Sequence, residues 1–179
     1  EASRIARLLD STAHLVDEAV VADTGSRDDT GAIARSRGAR VVEVPWADDF
    51  AQARNACLDA AAADWHLVLD ADEWLVAGGE WLNGLRAGKA GAAFVPVDAG
   101  FPRDRLLPGA LRYAGRVHEQ PVHRLPLRDL PLRVAHDGYT AAAMATKRGR
   151  NRTLLRRATT ERPGDAYLWY QLGKDCAVY

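Results

Sequence analysis

The segment WHLVLDADEWL (residues 65–75) runs an apolar stretch directly into three closely spaced acids. The stretch before the acids is apolar except for His66, which predicts a buried β-strand that ends at Asp70. In open α/β sheets, ligands bind beyond the carboxyl ends of the strands. Asp70, Asp72 and Glu73 therefore stand where a binding site is expected.

Three carboxylates in one turn repel one another, and one such pair at about 4 Å costs roughly 4 kcal/mol at an effective dielectric near 20. A bound Mg²⁺ or Mn²⁺ removes that cost, because hard divalent cations prefer carboxylate oxygens as ligands. The alternative is that the acids start a helix, where they complement the helix dipole and cap free amides. A second acid that follows an apolar strand, Asp23, favours the binding site over the helix start.

Upstream of this segment, apolar strands alternate with amphipathic helices. Strands are predicted over residues 20–23, 41–44 and 65–69, with helices over residues 30–38 and 50–63 between them. Asp29 or Thr30 is expected to cap the first of these helices, and Asp48-Asp49 opens the second. Near-continuous apolar strands joined by helices favour a parallel sheet covered on both faces. With right-handed crossovers, the simplest fold is a Rossmann-like α/β sandwich.

The second half of the chain is less regular. Strands are predicted over residues 92–97, 113–122 and 132–136, and residues 98–109, with Arg103 and Arg105, are expected to form a loop. The sequence then becomes helical and polar, and a break at residues 162–165 precedes a last aromatic helix. We therefore predict an α/β domain over residues 1–140 and a helical extension over residues 141–179.

Composition excludes several classes of protein. The chain has 179 residues with 24 basic and 24 acidic side chains, so bulk charge gives no reason to expect a nucleic-acid or anionic-membrane partner. A hydrophobic content of 47% suits a globular core and excludes a disordered chain. No apolar run approaches the roughly 20 residues that a membrane span needs. The two cysteines form no ligand-spaced motif, which suits a reducing compartment. A cytoplasmic location is the default expectation, because the sequence shows neither a signal peptide nor a membrane segment.

Four further residues carry chemistry that suits a site. Asp23 precedes a Gly-Ser turn and can accept from a nucleobase or ribose; an ordinary strand-to-helix turn is the alternative. Arg54 on the predicted second helix suits phosphate or base recognition if it faces inward, although a solvated arginine is the commoner case. Glu119 can act as a general base, and His136 can complete a metal shell begun by Asp72; structural roles are the alternative for both.

Taken together and in order, these segments resemble a family 2 glycosyltransferase of the GT-A fold. The likeness extends from the first residue to about residue 150. The segments that carry it are VADTGSRDDT (21–30), PWADDFAQARNACLDAA (45–61), WHLVLDADEWL (65–75), RYAGRVHEQPVH (112–123) and AHDGY (135–139). The resemblance implies a Rossmann-like GT-A fold, in which helices flank a mixed, mainly parallel sheet and a helical extension follows.

The resemblance also implies how a donor is bound. The donor is a nucleoside-diphosphate sugar, with a uridine nucleotide as the default. Asp23 is assigned to the base, Arg54 to support of the nucleotide and Asp70 to the ribose or the metal. Asp72 is assigned to a Mn²⁺ or Mg²⁺ ion that bridges the donor diphosphate, and His136 to the same ion. The implied metal ligands are therefore Asp70, Asp72 and His136.

On the acceptor side, the resemblance makes Glu119 the general base of an inverting transfer. Glu119 would take the proton of an acceptor hydroxyl or other nucleophile, which attacks the anomeric carbon of the sugar. The acceptor is expected to be a saccharide, a lipid-linked glycan or a peptide. No nucleic-acid partner is expected.

Both ends of the sequence lead to further expectations. Relatives of this kind have a strand before the first helix, whereas this sequence begins inside that helix, so we expect it to be part of a longer chain. Near the other end, Trp169-x-x-Leu172-Gly173-x-x-Cys176 resembles the first helix of a tetratricopeptide repeat, with cysteine where tyrosine is expected. Further repeats, and a protein partner bound through them, are the corresponding expectations.

Two other functions are compatible with parts of the sequence. A phosphatase of the haloacid dehalogenase type also uses Asp-x-Asp after a strand, but it has threonine or valine where Trp74 stands here. A non-catalytic scaffold, with a decayed GT-A domain and repeat helices, would account for the missing first strand. The retention together of Asp70, Asp72, Glu119 and His136 favours the enzyme.

Overall fold

The computed structural model describes residues 2–85, 93–95, 103–126, 128–129, 131–138 and 149–178. The helices are α1 (Ala2–Thr12), α2 (Thr30–Ser36), α3 (Phe50–Ala61), α4 (Trp81–Leu85), α5 (Arg150–Glu161) and α6 (Ala166–Val178). The strands are β1 (Val20–Asp23), β2 (Arg40–Glu43), β3 (Trp65–Leu67), β4 (Glu73–Ala77), β5 (Ala93–Val95), β6 (Arg103–Pro108), β7 (Tyr113–Ala114), β8 (Gln120–Pro121), β9 (Arg128–Asp129) and β10 (Arg133–His136).

The first 70 residues follow the predicted order of strands and helices. β1 ends at Asp23 and pairs in parallel with β2, so that Val21 lies opposite Val41. A buried cluster packs against this pair and contains Ile5 and Leu9 of α1, Ala34 of α2, and Ala39 just before β2. Ile5 and Leu9 are four positions apart in α1 and so lie on one helical face, which is the buried one.

The start of α2 differs from the expected capping pattern. Asp29 stands at the N-cap position, but its side chain makes no cap hydrogen bond. Instead, Oδ1 of Asp28 accepts from the backbone N–H of Thr30 at 3.1 Å and from its hydroxyl at 2.5 Å. The prediction for α3 is confirmed, because the Asp49 carboxylate accepts from the N–H of Gln52 at 3.0 Å.

The described strands form four small sheets, and the largest, in the order β3-β6-β5-β9, is mixed, as predicted. The expectation of mainly parallel pairing holds for β1 with β2 and for β5 with β9. Among the described strands, however, antiparallel pairs are more numerous: β3 with β6, β5 with β6, β4 with β10, and β7 with β8. The reason is that β6 and β10 run back along strands that precede them in the chain.

The expectation of a loop over residues 98–109 is wrong for its second half, which forms β6. This strand pairs with β3 along one edge and with β5 along the other. Leu106 and Leu107 project to opposite faces of the sheet, as strand geometry requires, and are buried in two different hydrophobic clusters. Pairing and burial on both faces therefore outweigh the nearby proline and glycine residues that predicted a loop.

The single strand predicted over residues 113–122 is instead a short hairpin. β7 and β8 pair antiparallel, with Tyr113 opposite Pro121, and residues 115–119 form the loop between them. Two residues of this loop have positive φ, Gly115 at +105° and His118 at +52°. The backbone therefore turns sharply just before Glu119.

The C-terminal helices pack against the α/β part. Leu154, Leu155 and Ala158 of α5 and Leu168 of α6 form a buried cluster that also takes in Val117. The break between α5 and α6 lies over residues 162–165, as predicted. The expected domain boundary near residue 140 lies outside the described residues and stays a prediction. Among the described residues, no helix has both the length and the apolar character needed to cross a membrane.

Candidate active site

Arg54 joins two of the acids singled out by the sequence. Its Nη2 lies 2.6 Å from Oδ1 of Asp70, and its Nε donates to Oε1 of Glu119 at 2.5 Å. Asp70 follows β3, whereas Glu119 is 65 residues along the chain from Arg54. The side chain of Arg54 is 16% exposed and that of Glu119 is 10% exposed. Arg54 therefore points inward and is not the solvated arginine that was the commoner alternative.

A second arginine, Arg105 of β6, completes this cluster. Its Nη2 lies 3.1 Å from Oδ2 of Asp70, and it also pairs with Oε1 of Glu73. Arg105 is 3% exposed and Glu73 is 5% exposed. Oε2 of Glu73 accepts from the backbone N–H of Asp70 at 2.8 Å, which closes the turn. Two guanidinium groups thus lie among three carboxyl groups.

The pKa values of Asp70 and Glu73, the two acids that pair with Arg105, are shifted in opposite directions. Partial burial opposes ionisation of Asp70, but the charges of Arg54 and Arg105 outweigh it and lower the pKa of this carboxyl. Burial dominates at Glu73 and raises its pKa, although Arg105 pulls the other way. Burial also raises the pKa of Tyr113, beside the cluster, to about 12. Asp70 is therefore held as a carboxylate at neutral pH.

The acidic turn does not start a helix. The backbone N–H of Glu73 donates to the carbonyl of Asp70 at 2.9 Å, and Glu73 then begins β4. The alternative in which these acids complement a helix dipole is therefore excluded. β10 returns alongside, with His136 opposite Glu73 in the ladder, and the N–H of Asp137 donates to the carbonyl of Asp72 at 3.1 Å. His136 and the Asp72 turn thus lie at the same end of the β4–β10 pair.

The predicted metal ligands fit a divalent cation unequally. Within the part of the chain that the structure describes, no three histidine, cysteine or acidic side chains are grouped to hold a metal ion. Both carboxylate oxygens of Asp70 are paired with arginines. The carboxylate of Asp72 belongs to the class that Mn²⁺ and Mg²⁺ prefer, and the imidazole of His136 is a common transition-metal ligand. The chemistry of Asp72 and His136 fits the metal, whereas the pairing of Asp70 does not.

Asp23 lies in its own turn at the end of β1. Its Oδ1 accepts from the N–H groups of Gly25 at 3.0 Å and Ser26 at 2.7 Å. The hydrogen bond from Ser26 is the main reason that the pKa of Asp23 is lowered. The turn is closely packed, because a Cβ at Gly31 would lie 3.2 Å from Oδ2 of Asp23. This geometry fixes the direction of the carboxylate that was predicted to contact a nucleotide base.

Sequence reasoning missed Arg105 and the buried role of Glu73. The stretch around Arg105 was predicted as a loop, in which an arginine is ordinarily solvated. No local signal marks this stretch as a strand, because residues 103–107 do not alternate between polar and apolar side chains. Only the pairing with β3 brings Arg105 to the acidic turn, because Leu67 lies opposite Leu106 in that ladder.

Comparison with known proteins identifies the family. Residues 1–149 match the model of the family described as Glycosyl transferase family 2. The chain belongs to this family. With that assignment the family predicted from the ordered motifs is confirmed, and so is the GT-A-like α/β fold with a helical C-terminus.

Relatives of this glycosyltransferase family 2 chain share parts of it. A TPR repeat-containing protein of Synechococcus elongatus is 54% identical over 76 residues, which is 42% of this chain and 19% of the relative. A protein of Rickettsia felis described as an uncharacterized glycosyltransferase is 45% identical over 78 residues, or 42% of this chain and 26% of the relative. The chain thus spans about a fifth to a quarter of the length of these relatives.

Among solved structures, glucosyl-3-phosphoglycerate synthase of Mycobacterium tuberculosis in complex with phosphoglyceric acid is similar to this chain, with 29% sequence identity and a TM-score of 0.46. The match covers 56% of this chain and 41% of that one.

Proposed function

We propose that the protein transfers a sugar from a nucleoside-diphosphate sugar to an acceptor nucleophile, with inversion and with the help of a divalent metal. Membership of glycosyltransferase family 2 supports glycosyl transfer. The observation that carries the proposal is the pairing of Arg54 with both Asp70 and Glu119, at 2.6 and 2.5 Å. It links the acid expected at the donor with the acid expected at the acceptor through one side chain.

Glu119 is the proposed general base. It takes the proton of the acceptor hydroxyl, whose oxygen bonds to the anomeric carbon from the face opposite the leaving group. The bond from that carbon to the diphosphate breaks, and its electron pair leaves with the nucleoside diphosphate. Arg54 orients the Glu119 carboxylate through the 2.5 Å hydrogen bond, and Glu119 is mostly enclosed. Positioned general bases contribute about 10² to 10⁴ in rate.

The donor is proposed to bind at the turns that follow β1 and β3, which carry Asp23 and Asp70. Asp23 is proposed to accept from the base, and a uridine nucleotide is the default donor. Asp72 and His136 are proposed to hold Mn²⁺ or Mg²⁺, which when bound would stabilise negative charge on the departing diphosphate. Asp70 is proposed to act through Arg54 and Arg105, because these arginines pair with both of its oxygens. Acceptors of the saccharide, lipid-linked glycan or peptide class remain compatible with this arrangement.

The first prediction separates donor binding from chemistry. Titration calorimetry with UDP, GDP and dTDP, with and without Mn²⁺, is expected to show metal-dependent binding of one nucleotide. Asp72→Asn is expected to abolish that metal dependence, because it removes the charged ligand. Glu119→Gln is expected to leave nucleotide binding nearly intact and to lower turnover about 10²- to 10⁴-fold.

Asp64→Asn is the matched control, since Asp64 is an exposed acid just before β3. It is expected to bind and turn over like the parent protein. If the parent protein binds no nucleotide with either metal, the enzymatic proposal is wrong and the non-catalytic scaffold takes its place. If Glu119→Gln turns over at the parent rate, Glu119 is not the base.

A further inference from the structure

The loop that carries Glu119 is held from two sides. We use the name Glu119 loop for residues 115–119 between β7 and β8. On one side, the N–H of Phe50, the first residue of α3, donates to the carbonyl of Arg116 at 2.9 Å. On the other side, Nε of Arg116 lies 2.9 Å from Oε2 of Glu161, the last residue of α5. The loop therefore bridges the helix that carries Arg54 and the C-terminal helices.

Val117 makes the second contact between this loop and the C-terminal helices. Its side chain is 3% exposed and belongs to the same hydrophobic cluster as Leu155 of α5 and Leu168 of α6. Phe50 packs against that cluster as well. Because interiors are close-packed, a shift of α5 or α6 would have to move Val117 with it.

The backbone between Val117 and Glu119 is in a conformation that needs external support. His118 has φ +52°, which non-glycine residues adopt only at a cost in free energy. Such a residue persists where its neighbours are fixed. Here Val117 is fixed by α5 and α6, and Glu119 is fixed by Arg54. The Tyr167 hydroxyl of α6 also lies 3.5 Å from the His118 carbonyl oxygen.

We propose that α5 and α6 are part of the catalytic unit, in which Arg116 and Val117 are positioning residues for Glu119. The proposal rests on the proposed function, because it explains how the general base is held. Two consecutive loop residues are held by the C-terminal helices, and Glu119 follows only two residues after Val117. A misplacement of about 1 Å at a reacting group can cost up to 10²-fold in rate. The helical extension therefore sets the turnover of the α/β part rather than only following it in the chain.

The test compares two arginines that pair with the same glutamate. Arg116 lies on the loop, whereas Arg157 lies on α5 and its Nε is 3.2 Å from Oε1 of Glu161. In the full chain, Arg116→Ala and Val117→Ala are expected to lower kcat about tenfold or more. The dissociation constant of the nucleotide is expected to stay within about twofold. Arg157→Ala is expected to leave both quantities unchanged, and Arg116→Lys, which keeps the charge, is expected to restore most of the lost kcat.

Hydrogen exchange at residues 115–119 provides a readout that does not depend on turnover. Exchange is expected to rise in Arg116→Ala and Val117→Ala, and to match the parent protein in Arg157→Ala. The proposal is overturned if the two loop variants exchange and turn over like Arg157→Ala, or if they lose nucleotide affinity in parallel with kcat. If the parent protein transfers no sugar, the proposed function is wrong, and exchange still decides whether the C-terminal helices order the loop.

Discussion

At the scale of single residues, Arg54 is the side chain on which the proposed chemistry depends most. A guanidinium presents several N–H donors in a rigid plane, so one arginine can hold two carboxylates in fixed directions. Arg54 uses this geometry to contact Asp70 through Nη2 and Glu119 through Nε. The aromatic ring of Tyr113 lies beside Arg54, with the ring centroid 5.3 Å from the guanidinium carbon. A lysine would supply the positive charge but could not hold two carboxylates in fixed directions.

We therefore predict that Arg54→Lys lowers kcat by about 10², because Glu119 loses its orientation while the site keeps its charge. The measurement is steady-state turnover together with nucleotide affinity. Arg37→Lys serves as the control, since Arg37 pairs with Asp10 at 2.8 Å on the exposed surface. Equal turnover in the two variants would show that the guanidinium of Arg54 is not needed to orient the Glu119 carboxylate.

At the scale of elements, the acids of the β3–β4 turn depend on a strand far along the chain. β6 supplies Arg105, which pairs with Glu73 of β4 and with Asp70 in the turn. A buried ion pair adds little net stability, but the loss of one partner leaves a buried charge uncompensated. Removal of Arg105 alone should therefore lower the free energy of unfolding much more than removal of Arg105 and Glu73 together.

Arg105→Met is predicted to lower the free energy of unfolding by about 3–5 kcal/mol. In the double variant Arg105→Met with Glu73→Leu, at least half of that loss should return, because Asp70 still has Arg54 as a partner. Urea denaturation followed by tryptophan fluorescence measures both changes. Arg37→Met is the control, since its pair with Asp10 is solvent-exposed and is expected to contribute under about 1 kcal/mol. Additive costs in the double variant would contradict this interpretation.

The same elements show which parts of the fold the sequence can specify. β1, β2 and β3 and the helices α2 and α3 were predicted correctly, because local periodicity and capping residues such as Asp49 determine them. β6 was missed, because its strand character comes from pairing with β3 and β5, which local sequence does not encode. In the site, Arg54 contacts both Asp70 and Glu119, and the sequence motifs had assigned all three residues to one site. Arg105 could not be placed there without knowledge of the β3–β6 pairing.

At the scale of the whole molecule, acidification acts on several native carboxyls at once. The pKa of Asp70 is lowered by Arg54 and Arg105 against partial burial, and that of Asp137 is lowered by Arg7 and Arg4, also against burial. A lowered native pKa means that the unfolded chain binds the proton more readily. The stabilisation is therefore complete above the unfolded value and is lost as the pH falls towards the native value. Burial raises the pKa of Glu73, so its contribution has the opposite sign.

The final prediction uses these opposite signs. The free energy of unfolding is expected to fall between about pH 5 and pH 2 in the parent protein, since among the described residues more carboxyls have lowered than raised pKa values. In Asp70→Asn this loss should be smaller, because the variant has no carboxyl there to protonate. Glu73→Gln should differ from the parent protein mainly above about pH 4.5. There the parent protein gains stability as the pH falls, because buried Glu73 takes up its proton before the unfolded chain does, and the variant lacks this gain. Urea denaturation at four pH values measures all three slopes, and slopes that change in the same direction would contradict the opposed environments of Asp70 and Glu73.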